Sequence, residues 1–177
     1  MNILVFGAQG SGKSTHAQYI AAKLHIPYIY TGDLFRELEK EESKSGKQIR
    51  QLMKKGILIP NKLSIPAFGD YLKKFPIYNG VVLDGYPRNI EQAKRVPLEI
   101  DLIVYVTLPE KTAIDRLLER GRYDDTPAAI KKRLSLYKKE TKPLLAYFEK
   151  NNTKIVEIDN TPPVEEVQKK VDDLLKD

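Results

Sequence analysis

The sequence of 177 residues contains no cysteine and only two histidines, His16 and His25. The lack of cysteine excludes disulfide frameworks, thiolate zinc sites and a catalytic cysteine. Two histidines are too few to build a histidine metal site. Long apolar runs are also missing, because the longest, Leu102 to Leu108, is far shorter than the roughly 20 residues that a membrane-spanning helix needs. We therefore expect no transmembrane segment.

The N-terminal segment from Met1 to Gly7 has neither a basic region nor a small-residue cleavage site. It predicts a buried strand rather than an export signal, so we expect a cytoplasmic protein. Hydrophobic residues make up 41% of the chain and charged residues 31%, which is typical of one globular domain.

The net charge is +6, from 30 basic and 24 acidic residues. This balance suits a nucleic acid, but equally a small molecule that carries phosphate groups. Lysines are spread along the chain and alternate with acids between residues 39 and 47, so no dense basic tail is formed. The charge pattern therefore does not favour nucleic acid as the partner, and the sequence carries no signal for an oligomeric state.

Short apolar runs alternate with helical patterns along the whole chain. The runs that predict strands are Asn2 to Phe6, Tyr28 to Tyr30, Val81 to Leu83, Leu102 to Thr107 and Ile155 to Ile158. The patterns that predict helices are Ser14 to Leu24, Gly32 to Glu42, Gly46 to Lys55, Lys62 to Lys74, Glu110 to Arg120, Pro127 to Lys150 and Pro163 to Leu175. This alternation predicts an α/β fold, with an open five-stranded parallel sheet and helices on both faces.

Threonine–proline pairs mark two predicted helix starts. Thr126 precedes Pro127, and Thr161 precedes Pro162 and Pro163, so each threonine is placed to cap a helix. The stretch from Thr31 to Pro60 is longer than a simple crossover needs, and we expect it to form a flap on the sheet.

A phosphate-binding loop follows the first predicted strand. Residues 7–14 read GAQGSGKS, which matches G-x-x-x-x-G-K-[ST] at the start of a helix. The glycines let the backbone N–H groups converge on phosphate oxygens at the positive end of the helix dipole, and Lys13 adds a point charge. Ser14 is placed to bind Mg²⁺. The sequence thus predicts a P-loop NTPase type of fold and a nucleotide site.

Asp84 ends the apolar run from Val81 to Leu83. A carboxylate at this place in a P-loop protein holds Mg²⁺ directly or through water, opposite the P-loop serine. Gly85, Tyr86, Pro87 and Arg88 follow at once and place a turn and a cation at the carboxyl end of a strand, where open α/β sheets bind ligands.

These motifs resemble those of the nucleoside monophosphate kinases, and within them the adenylate kinases. The matching segments are Thr31 to Arg36 (TGDLFR), Asp84 to Arg88 (DGYPR), Arg120 to Asp125 (RGRYDD), Thr141 to Leu144 and Ile158 to Asp159. The resemblance spans nearly the whole chain. It implies one domain over residues 1–177, in which residues 31–60 are an inserted monophosphate-binding segment and residues 120–125 a vestigial lid.

The resemblance also implies two nucleotide sites. The ATP site would consist of Gly10, Ser11, Gly12, Lys13, Ser14, Thr15 and Arg116, and the AMP site of Thr31, Arg36, Gly85, Arg88 and Gln92. Lys13, Arg88, Arg120, Arg122 and Arg133 would be catalytic, and Ser14 and Asp84 would hold Mg²⁺ partly through water. Asp124 and Asp125 would orient the arginines. Phosphoryl transfer needs positioning and electrostatic stabilisation rather than a general base, which fits this set.

The acceptor is less sharply defined than the chemistry. Gln92 matches the adenylate kinases and favours AMP, whereas Asn89 matches the UMP/CMP kinases. The alternative for Gln92 is a solvent-exposed helix residue.

Three features depart from the family pattern. Gln9 and Ser14 replace a proline and a glycine of its usual P-loop, and Asn61 stands where it has aspartate. The third departure is larger, because only Gly121 separates Arg120 from Arg122, so the chain lacks the lid that excludes water in longer relatives. We expect a working kinase with weaker exclusion of water.

The sequence therefore predicts reversible transfer of a phosphoryl group from Mg-ATP to AMP, giving two ADP. The alternatives are the same reaction on UMP or CMP, and an adenylate-kinase-like ATPase that acts in RNA or ribosome assembly.

Overall fold

Five apolar segments form the strands of one parallel sheet in the computed structural model, which describes residues 1–176. The strands are β1 (Asn2–Phe6), β2 (Tyr28–Tyr30), β3 (Val81–Asp84), β4 (Leu102–Thr107) and β5 (Lys154–Asp159). Their order across the sheet is β2-β3-β1-β4-β5, and every neighbouring pair is parallel. The predicted open five-stranded parallel sheet is confirmed.

Helices surround this sheet. Within residues 1–176 they are α1 (Lys13–Leu24), α2 (Thr31–Leu38), α3 (Lys44–Lys54), α4 (Asn61–Leu72), α5 (Ile90–Ala93), α6 (Glu110–Arg120), α7 (Pro127–Leu136), α8 (Leu144–Lys150) and α9 (Val164–Leu174). A π-helical turn, Tyr137–Thr141, follows α7. In this described part of the chain, no helix is both long and apolar enough to cross a membrane.

The sheet is buried on both faces, because successive strand residues point to opposite sides. One face packs on α1 and α9 through a cluster that includes Ile3, Val5, Ala17, Ile20, Val104, Val167 and Val171. The other face packs on α4, the π-helical turn and α8 through Leu4, Phe6, Phe68, Leu83, Tyr137, Leu144 and Phe148. The predicted helices on both faces are thus confirmed.

The helical pattern from Pro127 to Lys150 does not form one continuous helix. The Lys142 N–H donates to the Tyr137 carbonyl at 2.7 Å, which is the spacing of a π-helix. Pro143 then has no N–H to continue the ladder, so α8 begins after it. The short helix α5 was not predicted, because four residues are too few to show a helical period.

Of the two predicted threonine caps, one is confirmed and one is wrong. The Thr126 hydroxyl accepts a hydrogen bond from the Ala129 N–H at 3.2 Å and caps α7. Thr161 does not cap α9, because its own N–H and hydroxyl both donate to Asp159, at 2.9 and 2.6 Å. A carboxylate only two residues away is a nearer partner than the helix start.

The strand order places a crevice at the carboxyl end of β1. β1 lies between β3 and β4, so the chain leaves it toward one edge of the sheet and later continues on the other side. Open α/β sheets bind ligands at such a reversal. The loop between β1 and α1, the end of β3 and the start of α2 all meet there.

Candidate active site

A cleft of about 470 Å³ opens at this crevice, within the range of sites for small ligands. Seven cationic side chains of the described chain line it: Lys13, Arg36, Arg88, Arg116, Arg120, Arg122 and Arg133. The excess of positive charge favours an anionic ligand. Gly10, Gly12, Ser14, Thr15, Gly85 and Gln92 line the same cleft, whereas Ser11, Thr31 and Asp84 lie buried behind it.

The loop between β1 and α1 has the backbone form that a phosphate site needs. Gly10 and Gly12 have φ of 83° and 89°, a region that favours glycine. Lys13 is the first residue of α1, and its ammonium group lies 3.4 Å from the Ala8 carbonyl. The loop therefore presents the positive end of the α1 dipole and a lysine to the same space.

Asn160 supports this loop from behind. Its amide donates to the Ser11 carbonyl at 2.7 Å, and its oxygen pairs with the buried ring of His16 at 2.8 Å. This residue was not predicted, because a single asparagine after the last strand carries no sequence signal and lies 149 positions from Ser11.

The Asp84 carboxylate is fully buried at the end of β3. Its Oδ2 accepts from the Ser14 hydroxyl at 2.5 Å and from the Tyr28 hydroxyl at 3.0 Å. Its Oδ1 is buried without a hydrogen-bond partner in residues 1–176. Carboxylate and hydroxyl oxygens suit Mg²⁺, so Asp84 and Ser14 fit this ion. Burial and the neighbouring Asp84 raise the pKa of Tyr28, which keeps it a donor.

Arg36 and Arg88 approach the cleft from α2 and from the turn after β3. The Arg88 Nε donates to the Gly85 carbonyl at 2.8 Å, which fixes its side chain across the turn. Burial lowers the pKa of the Arg88 guanidinium, although Tyr30 and Asp84 oppose this shift. A buried cation with a lowered pKa is stabilised when an anion joins it.

Thr31 lies at the base of the cleft rather than on its wall. It is 1% exposed, and its hydroxyl donates to the Asp84 carbonyl at 3.3 Å. The hydroxyl therefore ties the first turn of α2 to the end of β3.

Gln92 is 3% exposed, so the alternative of a solvent-exposed helix residue is wrong. Its oxygen accepts from the Arg88 N–H at 2.7 Å, and its amide nitrogen donates to Asn61 and Ser64, both at 3.1 Å. Asn89 has a local role beside it, because its oxygen caps α5 by accepting from the Gln92 N–H at 2.9 Å. Gln92, which lines the cleft, is thus held by hydrogen bonds with Asn61, Ser64, Arg88 and Asn89.

Two carboxylates hold two of the arginines. Asp125 accepts hydrogen bonds from Nε and Nη2 of Arg120, at 2.8 and 2.7 Å, and from Nη1 of Arg133 at 2.8 Å. Arg133 also donates to Asp124 at 2.6 Å. Burial alone would raise the pKa of Asp125, but the two arginines outweigh it and lower this pKa. The expected role of Asp124 and Asp125 in orienting arginines agrees with these contacts.

Comparison with known proteins identifies relatives along most of the chain. The adenylate kinase family model matches residues 5–153. The alignment with the adenylate kinase of Corynebacterium urealyticum is 36% identical over 174 residues and covers 94% of each chain. That of Mycobacterium tuberculosis is 39% identical over 155 residues, which covers 84% of this chain and 86% of the relative. The alignment with that of Nocardia farcinica is 33% identical over 177 residues and covers 96% of each chain. The corynebacterial and nocardial relatives are therefore about as long as this chain.

Proposed function

The chain belongs to the adenylate kinase family and is a nucleoside monophosphate kinase, and from this premise we propose that it transfers the γ-phosphoryl group of Mg-ATP reversibly to AMP, giving two ADP. The observation that carries the proposal is a single cleft with two groups of cations. Lys13 belongs to the phosphate-binding loop, whereas Arg36 lies on α2 and Arg88 on the turn after β3. A reaction between two phosphate-bearing nucleotides needs both groups.

In this proposal each group of residues binds one part of the reacting phosphates. The loop around Lys13 binds the β- and γ-phosphates of ATP, and Arg116 lies against its adenine. Arg36 and Arg88 bind the acceptor phosphate. Arg120, Arg122 and Arg133 surround the phosphoryl group in transfer, where charge develops on the equatorial oxygens. Fixed cations stabilise this charge without reorganising, which is the main way such a site lowers the barrier.

Ser14 and Asp84 would hold the magnesium ion, partly through water. The ion, when bound, neutralises charge on the β- and γ-phosphate oxygens. The buried, unpaired Oδ1 of Asp84 supports this assignment.

AMP is the acceptor that we propose because of Gln92 and Asn89. Gln92 lies at the acceptor end of the cleft, next to Arg88, where an adenine edge can exchange with its amide partners. Asn89, the residue that favours UMP or CMP, is occupied in capping α5 and in donating to Asn61 at 2.9 Å. An ATPase, the other alternative, would leave Arg36 and Arg88 without a ligand.

Residues 31–60 and 120–125 form the cover of this site in our proposal, the first as the monophosphate-binding segment and the second as a vestigial lid. The Tyr123 hydroxyl donates to the Glu39 carboxylate, which joins the two segments. Gly56 packs so closely on the start of α7 that an added Cβ would lie 2.4 Å from the Ala129 carbonyl oxygen. The contact between the segments and that of Gly56 with α7 would exclude water without a lid domain.

An acceptor panel tests the proposed reaction. Purified protein is incubated with Mg-ATP alone and with AMP, UMP, CMP or GMP, and the nucleotides are separated by chromatography. We expect two ADP for each ATP and AMP consumed, and at least tenfold slower turnover of UMP and CMP, on the order of one lost base contact. Faster turnover of UMP or CMP than of AMP would contradict the assignment of the acceptor.

A further inference from the structure

Two tyrosines of β2, Tyr28 and Tyr30, lie side by side in the cleft. Alternate strand residues face the same side, and the two rings are stacked with centroids 6.4 Å apart and planes 6° apart. Tyr28 donates to the Asp84 carboxylate. Tyr30 reaches the cations instead, and the reaction described above gives it no role.

The Tyr30 hydroxyl lies where cations from three parts of the chain meet. Its oxygen accepts a hydrogen bond from Arg36 Nη2 at 3.0 Å, and the Arg36 guanidinium lies 5.6 Å from the ring centroid. Burial alone would raise the pKa of Tyr30, but Lys13, Arg36 and Arg122 outweigh this effect and the opposing charge of Asp84, so the pKa is lowered. The hydroxyl therefore lies in the positive field that holds the phosphates.

The hydroxyl proton of Tyr30 is not donated in a hydrogen bond within residues 1–176. Arg36 is a donor only, so the phenol oxygen serves it as an acceptor. Within residues 1–176 no group accepts the Tyr30 proton. A phosphate oxygen bound by Arg36 would supply the missing acceptor.

The start of α2 packs closely against the Tyr30 ring. A Cβ added to Gly32 would lie 2.2 Å from Cζ of Tyr30 and 2.4 Å from its hydroxyl oxygen. Only glycine at this position leaves the phenol where it stands. The ring position is thus determined by the backbone next to it as well as by Arg36.

We propose that Tyr30 is a substrate-contacting residue of the acceptor site, where its phenol donates a hydrogen bond to the phosphate of the acceptor nucleotide. The inference rests on the proposed function, because it takes Arg36 and Arg88 as the acceptor's phosphate site. The contact is to phosphate, so it does not depend on the base.

The test compares the wild type with Tyr30→Phe, which removes only the hydroxyl. Calorimetry measures the binding of AMP and of adenosine, which has the same base and sugar without the phosphate. We expect AMP binding to weaken about tenfold, the size of one hydrogen bond to a charged group. Adenosine binding should stay within twofold. Gly32→Ala, which displaces the ring, should weaken AMP binding in the same direction.

The matched control is Tyr78→Phe, because Tyr78 is 95% exposed and lies outside the cleft. It should bind AMP like the wild type. AMP binding by Tyr30→Phe within twofold of the wild type would overturn the proposal, and so would equal losses for AMP and adenosine, which indicate a structural role.

Binding is measured separately from turnover, so the two proposals can fail separately. A wild type that binds AMP without phosphorylating it would overturn the proposed reaction. The comparison of AMP binding by the wild type and Tyr30→Phe would still test whether the phenol contacts the phosphate. If the wild type prefers another nucleotide, the same comparison is made with that nucleotide and its nucleoside.

Discussion

The cations of the cleft differ in what holds each of them. Arg120 and Arg133 share the carboxylate of Asp125, whose side chain is fully buried. Arg36 contacts a neutral phenol and, at 3.9 Å, the exposed carboxylate of Asp33, whereas Arg88 contacts a backbone carbonyl. Buried carboxylates therefore fix the first two arginines before a ligand binds, whereas Arg36 has only an exposed, longer ion pair and Arg88 depends on an anion for its charge balance. This difference suits one group that stabilises a transferring phosphoryl and another that captures a substrate.

Replacing Asp125 by asparagine should destabilise the protein in a pH-dependent way. The pKa of Asp125 is lowered in the folded state, so its contribution is complete above the unfolded pKa of about 3.9 and is lost as the pH falls through the folded pKa. At pH 7 we expect a loss of about 3 kcal/mol in the free energy of unfolding, the low end for a broken buried ion pair, because Arg120 is partly exposed.

Denaturant titrations at pH 7 and pH 3 measure this difference. Asp115→Asn, on the exposed face of α6, is the control and should change the free energy of unfolding by less than about 0.5 kcal/mol. A difference between wild type and Asp125→Asn that grows on acidification would contradict the prediction.

Sequence patterns locate residues whose partners are near in the chain or in a fixed motif. Lys13 and Ser14 belong to such a motif, and Asp125 lies only five positions from Arg120, with which it pairs. Tyr30 and Asn160 have no comparable signal. The Asn160 contact joins segments 149 positions apart, and the contact of Tyr30 with Arg36, although only six positions apart, belongs to no motif.

At the scale of elements, the π-helical turn after α7 connects a helix to the turn that carries Arg88. It rotates Thr141 so that its hydroxyl donates to the Arg88 carbonyl at 2.8 Å. A regular helix through residues 137–141 would present a different face. Such turns inside helices are frequent at functional sites.

Thr141→Val should loosen the Arg88 turn, because valine keeps the shape of the side chain but cannot donate. We expect the KM for AMP to rise about fivefold, the size of one neutral hydrogen bond, with the KM for ATP unchanged. Initial-rate kinetics with each nucleotide varied in turn measure both values. Thr141→Ser keeps the hydroxyl and should behave like the wild type, and equal increases in both KM values would contradict this link.

The elements themselves could be predicted because their periods and boundaries are local. All five strands were predicted as buried apolar runs, and Thr126 as a cap. The break at Pro143 could be expected from its missing N–H, but the π-helical turn before it depends on Tyr137 packing in the core. The prediction that Thr161 caps a helix is wrong because its hydrogen-bond partner, Asp159, belongs to the preceding strand.

At the scale of the whole molecule, we propose that residues 31–60 and 120–125 cover the cleft in place of a separate lid domain. The hydrogen bond between Tyr123 and Glu39 joins the two segments, and Gly56 of the first segment also contacts Ala129 on α7. The sequence predicts the shortened segment at residues 120–125, but not its partner, because Glu39 is 84 positions away.

Tyr123→Phe should admit more water to the cleft. We expect the ratio of ATP hydrolysis to phosphoryl transfer to rise about fivefold, which corresponds to one hydrogen bond of about 1 kcal/mol. The release of inorganic phosphate from ATP, with and without AMP, gives this ratio. The exposed Tyr78→Phe should leave it unchanged, and a ratio for Tyr123→Phe equal to that of the wild type would mean that this contact does not exclude water.

The most direct test of the central claim follows the γ-phosphoryl group itself. The protein is incubated with magnesium, AMP and ATP labelled at the γ-phosphate, and the label is counted in ADP and in inorganic phosphate. We predict that nearly all label lost from ATP appears in ADP, and that Lys13→Ala, which keeps the fold, transfers none. Label that appears in inorganic phosphate at the same rate with and without AMP would contradict a kinase and indicate an ATPase.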